Sequence, residues 1–359
     1  MIKRLQALPL EGSPKCLPAR KGKEVRSIDS KQLDQQFQAN TADALAIDPN
    51  VFVQKSQAGG GSPMIRGMST SRVLVLVDGI RMNNAIFRSG NVHSVISVDG
   101  ESVSNMEISL GPGSVLHGSD ALGGVMHINT YDAHFGDSTE ILQSLVFTLS
   151  NQSAQLSRRP NFRINYGGLN WAGMTSLTYT QYHDIQMGRR ILPWTPAQHL
   201  SNTQLTYLPT TIGSIDTIRT PEDPYTQYNT SYEQRNITQK FKVRLAERTT
   251  FKSGVHFSLT GEVNRYDRFT EMMNGSPKYA QWNYGPQAWI MSYISIENRD
   301  ITAISDWMKF TLSGQYFEES RNIRKFKAPS GKVQREQVYI NQVNFDASKK
   351  ISEKSSILY

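Results

Sequence analysis

Beyond about Thr130 the sequence alternates apolar and polar residues at period two, segment after segment. Phe162, Ile164 and Tyr166 stand against Arg163, Asn165 and Gly167, and Phe241, Val243 and Leu245 against Lys242, Arg244 and Ala246. Val255, Phe257, Leu259 and Val263 alternate with His256, Ser258, Thr260, Glu262 and Asn264. Met308, Phe310, Leu312 and Tyr316 alternate with Lys309, Thr311, Ser313 and Gln315. Successive side chains of a strand point to opposite faces, so each segment has one apolar and one polar face. The segments run to about ten residues and are joined by short and long connections in turn, the pattern of a barrel that crosses a membrane. A soluble β-sandwich shares the alternation. Strand length argues against it, and so does a polar connection of about 45 residues from Ile185 to Asn229, too long for a sandwich hairpin. Eight strands are predicted, with a ninth starting near Ser355; the pattern is weakest over Tyr284 to Glu297. Trp171, Tyr179, Tyr182, Trp282, Trp289 and Trp307 are predicted to form girdles at the membrane interfaces.

Composition fits this reading. The 359 residues are 38% hydrophobic, with no apolar run long enough for a membrane-spanning helix. Barrel strands average out as polar, so a negative mean hydropathy does not exclude a membrane. The single cysteine, Cys16, excludes an internal disulfide and argues against a cysteine metal site. A net charge of +8 suits an anionic surface or an acidic ligand. The basic residues form no dense stripe of the kind that tracks phosphates, which argues against nucleic acid. Residues 1–26 stand apart: the stretch LQALPL is too short for a signal peptide, and a Pro-, Lys- and Arg-rich segment follows it. They are read as an atypical or truncated N-terminal segment.

Residues 27–135 follow different rules and read as compact α/β. Ser30 opens a polar helical stretch to Phe37, Thr41 to Leu45 forms a second short helix, and Val51 to Val53 a brief strand. RVLVLV, Arg72 to Val77, is a strand buried on both faces that ends at Asp78-Gly79. In GPGSVLHGSDALGG, residues 111–124, Gly111, Gly113, Gly118, Gly123 and Gly124 are expected to allow positive φ and close backbone packing. The run has no Gly-Lys-Ser/Thr and its last glycine pair leads into a strand, so it is not a phosphate loop.

Two segments carry a family resemblance: SPMIRGMSTSRVLVLVDGIRMNN, Ser62 to Asn84, and MEISLGPGSVLHGSDALGGVMHINT, Met106 to Thr130. In order and spacing they resemble the two halves of the plug of TonB-dependent outer-membrane receptors. The fixed points are Ile65-Arg66-Gly67, Val77-Asp78-Gly79, Glu107-Ile108, Gly111-Pro112, Gly118, Ala121 and Gly123-Gly124-Val125. The implied organisation is a plug over 27–135 followed by the N-terminal part of an antiparallel β-barrel over 136–359. The family barrel has about 22 strands. Eight or nine strands cannot close around a plug of roughly 100 residues, so an open, curved sheet against one side of it is expected.

The resemblance also implies roles. Arg66 is expected to lie buried against barrel glutamates and lock the plug, since an unpaired buried guanidinium is costly. The segment Phe87 to Asp99 resembles the plug's apical loop, and Arg88, Ser89, Gly90, Asn91 and His93 are expected to contact ligand. In haem receptors a histidine often follows the loop glycine; here Asn91 does, and His93 two residues on is the nearest candidate axial ligand. The implied function is uptake of a scarce solute, an iron complex such as a siderophore or haem, with the TonB complex and outer-membrane lipid as partners. No cofactor, bound metal or catalytic residue is expected. Cobalamin, oligosaccharide or peptide import remain alternatives, as does a passive porin or adhesin barrel, which would need no plug. No TonB box is recognisable in residues 1–26.

Overall fold

A computed structural model describes residues 24–36, 40–55, 59–83, 85–86, 95–136, 141–153, 155–186, 207–300, 302–352 and 355–358. Strand β1 (Glu24–Asp29) leads into helices α1 (Ser30–Gln36) and α2 (Thr41–Leu45), then strands β2 (Val51–Gln54), β3 (Ser62–Ile65) and β4 (Met68–Ser69). Strands β5 (Val73–Val77), β6 (Ile80–Arg81) and β7 (Val103–Leu110), helix α3 (Ser114–His117) and strand β8 (Gly124–Thr130) complete the first unit. Its main sheet has the order β1-β7-β8-β5-β6, with β5 and β8 parallel; β2, β3 and β4 make a small second sheet. All five residues of β5 are buried because the strand is central and covered on both faces. The core gathers Ile28, Leu45, Val75, Met106, Ile108 and Ile128. Asn40 caps α2 by accepting the Asp43 N–H at 3.0 Å. Glu24 to Arg26, grouped by sequence with the N-terminal segment, pair with Leu110 to Ile108 and so belong to the plug sheet.

The second unit is a wall. Strands β9 (Leu142–Gln152), β10 (Ser157–Gly167) and β11 (Trp171–Tyr182) are followed by a long connection. Its described part holds the short pair β12 (Ile185–Gln186) and β15 (Thr226–Gln227) and the hairpin β13 (Leu208–Ile212) and β14 (Ile215–Arg219). Then come β16 (Tyr232–Ala246), β17 (Thr249–Thr260), β18 (Val263–Asn264), helix α4 (Tyr266–Phe269) and the pair β19 (Met272–Met273) and β20 (Ser276–Pro277). Strands β21 (Tyr279–Asn298), β22 (Trp307–Lys325), β23 (Lys332–Ser352) and β24 (Ser355–Leu358) complete it. The wall runs β9-β10-β11-β16-β17-β21-β22-β23-β24, each strand antiparallel to the next, with β18 alongside β21. Among the described residues β9 and β24 do not pair with each other, so the sheet is open.

Burial in the wall is inverted relative to a soluble sheet. The apolar face carries exposed Phe162, Leu177, Ile237, Phe241, Ile294, Ile296, Phe310 and Leu312. The polar face carries buried Ser176, Thr178, Thr238, His256, Ser258 and Gln315, because the plug packs against it. Such a sheet offers its outer surface to lipid. No described helix is long and apolar enough to cross a membrane.

The connections sort by end. The turns between β10 and β11 and between β16 and β17 and the start of β22 share one end; the described parts of the long connections from β11 to β16 and from β17 to β21 lie at the other. In outer-membrane barrels the short turns are periplasmic and the long loops extracellular. Strand β21 has 20 residues, twice the expected length. At about 3.3 Å per residue it spans roughly 60 Å, far more than the ~30 Å hydrocarbon layer. It and β22 therefore rise beyond the membrane on the long-loop side.

The aromatic girdle needs correction. Trp171 and Tyr179 do stand exposed on the outer face, and Trp307 is half-buried at a strand start. Tyr182, Trp282 and Trp289 are buried. Trp289 shares strand parity with inward Met291 and packs in the plug core, while Tyr182 stacks on Tyr232, ring centroids 4.2 Å apart.

Candidate functional site

Strands β5 and β6 are joined by the two-residue turn Asp78-Gly79, with Val77 paired to Ile80 and φ of 52° and 86°. Both central residues at positive φ make a type I′ hairpin, for which Asp-Gly is a favoured sequence. The turn carries the Asp78 carboxylate to the wall. Its Oδ2 lies 2.9 Å from Lys240 Nζ on β16 and 2.9 Å from His256 Nε2 on β17. The Thr130 N–H and hydroxyl both donate to Asp78, each at 2.9 Å. Lys240 also donates to the Thr130 carbonyl at 3.2 Å. Burial alone raises a carboxyl; the Lys240 ammonium, the His256 hydrogen bond and the Thr130 N–H outweigh it and hold Asp78 well below the usual carboxylate range. The imidazole of His256 stacks on Trp289 at 5.9 Å. One buried plug carboxylate thus joins two wall strands.

Further ties flank it. Thr178 donates to Asp99 at 2.6 Å, Gln234 to the Ile96 carbonyl at 2.6 Å and Gln315 to the Arg81 carbonyl at 2.8 Å. Arg159 pairs with Glu101 at 3.1 Å. Burial pushes the Asp99 carboxyl up to about 6, with Glu101 adding to the rise and the Thr178 hydrogen bond and Arg159 opposing it. The segment that leaves the plug is strapped to the short-turn end. The Arg163 guanidinium lies 3.5 Å from the centre of the Tyr131 ring, Lys252 is 3.4 Å from Asp132, and Lys242 and Arg244 lie over Phe135.

Arg66 does not make this connection. With Gly67 it forms the tip of the β3–β4 hairpin, at φ of 49° and 80°, where Ile65 pairs with Met68. The Arg66 side chain is 56% exposed and meets Glu24 of the plug's own β1 at 3.7 Å. No described wall carboxylate pairs with it; Asp78, Glu101 and Asp132 carry plug-to-wall ion pairs in this chain. Of the glycine motif, Gly111, Gly118 and Gly124 have positive φ, as Gly67 and Gly79 do. Gly113 at φ −103° does not. It and Gly123 are needed for close approach: a Cβ on Gly113 would stand 2.7 Å from Val125, and one on Gly123 3.0 Å from the Arg72 carbonyl. Pro112 follows Gly111 between β7 and α3.

Arg88, Ser89, Gly90, Asn91 and His93 lie outside the described residues. The plug residues on either side of them, Ile86 and Val95, are buried in the core. Above the plug, toward the long connections, the wall carries Phe269, Trp282 and Tyr284 with Tyr279 and Ile323 against them. Arg265 and Arg268 lie 4.9 and 5.7 Å from the Trp282 ring centre. Among the described residues no cluster of three or more His, Cys, Asp or Glu could hold a metal ion.

Sequence reasoning missed Lys240 and His256. The available signal was a lysine and a histidine in mid-strand on the polar face of neighbouring strands, where Thr238 pairs with His256 and Lys240 with Gly254.

Residues 19–125 match the TonB-dependent Receptor Plug Domain. Over 138 residues the chain is 34% identical to the vitamin B12 transporter BtuB of Vibrio vulnificus (strain YJ016), a match covering 35% of this chain and 22% of that protein. Over 95 residues it is 38% identical to the heme/hemopexin utilization protein C of Haemophilus influenzae, covering 26% of this chain and 13% of that one. The ferric enterobactin receptor PfeA of Pseudomonas aeruginosa has the same fold, with a TM-score of 0.62 at 18% identity over 90% of this chain and 46% of its own. The chain spans less than half the length of each of these proteins. Residues 19–125 thus form a TonB-dependent receptor plug domain, and with that plug seated against the polar side of an antiparallel wall the chain has the fold of the plug-and-barrel receptors of the Gram-negative outer membrane.

Proposed function

We propose that the receptor imports a scarce iron complex, a siderophore chelate or haem, powered by the TonB complex and without enzymatic chemistry. The observation that carries this reading is the plug held against the lumenal wall by Asp78, beneath long connections that present aromatic and cationic side chains. A ligand bound in that vestibule and contacted by Arg88 to His93 would bias the plug toward release, and a pull from the periplasm would complete it. The haem-utilization relative and the ferric enterobactin receptor support iron as the cargo.

The vitamin B12 transporter supports a second reading, cobalamin import. The test is growth of a strain whose only uptake route is this receptor, supplied with haemin, a ferric siderophore or cyanocobalamin as limiting nutrient. Iron-limited growth that disappears in a strain lacking TonB is expected. Growth rescued by cyanocobalamin alone would replace iron with cobalamin, and rescue that persists without TonB would remove the energised mechanism.

A further inference from the structure

The inner face of β21 and β22 above the plug holds two donors that the protein leaves without acceptors. Along this face Trp289 stands opposite Phe317, Gln287 opposite Glu319 and Tyr284 opposite Arg321. The lowest pair belongs to the plug core, so the pairs above it face the same lumen. Gln287 is 5% exposed and its Nε2 has no hydrogen-bond partner. The Arg321 Nε is buried and equally unpartnered.

Arg321 also differs from its neighbours. Arg265 meets Asp267 at 2.6 Å, Arg324 meets Asp216 at 2.7 Å and Arg268 meets Glu271. Arg321 pairs with no described carboxylate and lies 5.6 Å from the centre of the Tyr284 ring. Burying a donor without an acceptor is costly, and these two stand on facing strands on either side of the register shift between Tyr284 and Gln287, so an incoming acceptor meets groups that the protein leaves unmet. The guanidinium is a planar fork that matches a pair of coplanar anionic oxygens.

We propose that Arg321 and Gln287 form an anion-recognition subsite that takes paired ligand oxygens, those of a carboxylate or a catecholate. The inference rests on the import reading and narrows it to anionic cargo. Arg321 supplies charge and a two-pronged hydrogen bond, Gln287 a third donor from the facing strand, and Tyr284 holds the guanidinium in place.

The test uses receptor purified from outer membranes in detergent and titrated by tryptophan fluorescence. The probes are haemin (carboxylate), the ferric complex of 2,3-dihydroxybenzoate (catecholate) and cyanocobalamin (no net charge). Wild type should bind one anionic probe more tightly than cyanocobalamin. Arg321→Gln should weaken that probe by at least about tenfold, the worth of one charge-assisted hydrogen bond. Arg321→Lys should recover part of the loss, and Gln287→Leu should weaken binding less than Arg321→Gln does. Unchanged affinity in Arg321→Gln, or equal losses for cyanocobalamin, would overturn the subsite. If Arg321→Gln fails to give a heat-modifiable, folded receptor, salt dependence in the wild type decides: anionic-probe affinity should fall with salt, and salt-independent binding overturns the proposal. Binding of cyanocobalamin alone sinks the subsite and leaves import standing; no binding by any probe sinks both.

Discussion

Replacing Asp78 with asparagine tests the lock directly. Asparagine keeps the shape and the acceptor for the Thr130 N–H at 2.9 Å, but removes the charge facing Lys240 and His256. The Lys240 side chain is 5% exposed, so its ammonium would be left with the Thr130 carbonyl at 3.2 Å. Removing one partner of such a buried pair costs about 3–5 kcal/mol, much of it the penalty on the charge left behind. Lys240→Met should cost a similar amount. The double variant removes both charges, so it should fall short of the sum of the singles by at least ~2 kcal/mol. The reporter is Trp289, which stacks on His256 and whose Nε1 donates to Gln315 at 3.3 Å; its fluorescence registers separation of plug and wall. Denaturant titration of the receptor in detergent, paired with protease sensitivity of the plug, measures each variant. Additive costs, or an Asp78→Asn receptor as stable as wild type, would refute the lock.

Three further outcomes are expected. The Asp99 carboxyl is raised to about 6 by burial, so its contribution to plug seating is fully present below about pH 4 and lost as pH rises through about 6. Asp99→Asn should therefore stabilise the plug at pH 8 by up to about 3 kcal/mol and flatten the pH dependence of protease resistance between 4 and 6; an unchanged profile would contradict the assignment. In the long connection, Arg324 donates to both oxygens of Asp216 at 2.7 Å and holds that carboxyl down to about 2. This stabilisation of the β13–β14 hairpin is present above about pH 4 and lost as pH falls through about 2, and Arg324→Ala should expose the hairpin to protease at neutral pH. A cysteine placed at Asn91 should react with an impermeant label in intact cells, and labelling only from the periplasmic side would reverse the orientation proposed for the apical loop.

Much of the architecture could be read from side-chain period alone. Strand direction alternates faces whatever the partner, so Phe162, Phe241 and Phe310 announced an outer face before any packing was known. β5 could be read because only a doubly covered strand tolerates VLVLV. The lock was less visible. Asp78 reads locally as a turn residue, and its role depends on Lys240 and His256, 162 and 178 positions away, arriving at the same height. Among the described residues Arg66 ion-pairs only with Glu24, and the barrel carboxylate that the resemblance implies for it is not among them. Trp289 shows the limit of composition, since a tryptophan suits either a membrane girdle or a core and only its parity with Met291 decides.

The inverted wall has a consequence for how such a chain reaches its destination. A protein bound for the outer membrane must first pass the inner one, whose insertion machinery retains segments of about 20 consecutive apolar residues. In β16 and β22 lipid-facing residues stand between polar ones, Ile237 between Asn236 and Thr238, Phe241 between Lys240 and Lys242, and Phe310 between Lys309 and Thr311. Coiled as a helix, those segments would scatter their apolar side chains around the axis and offer no greasy cylinder. They become lipid-compatible only when stretched into strands and paired with neighbours. The same residues that face lipid at the end of the journey are therefore inconspicuous in transit.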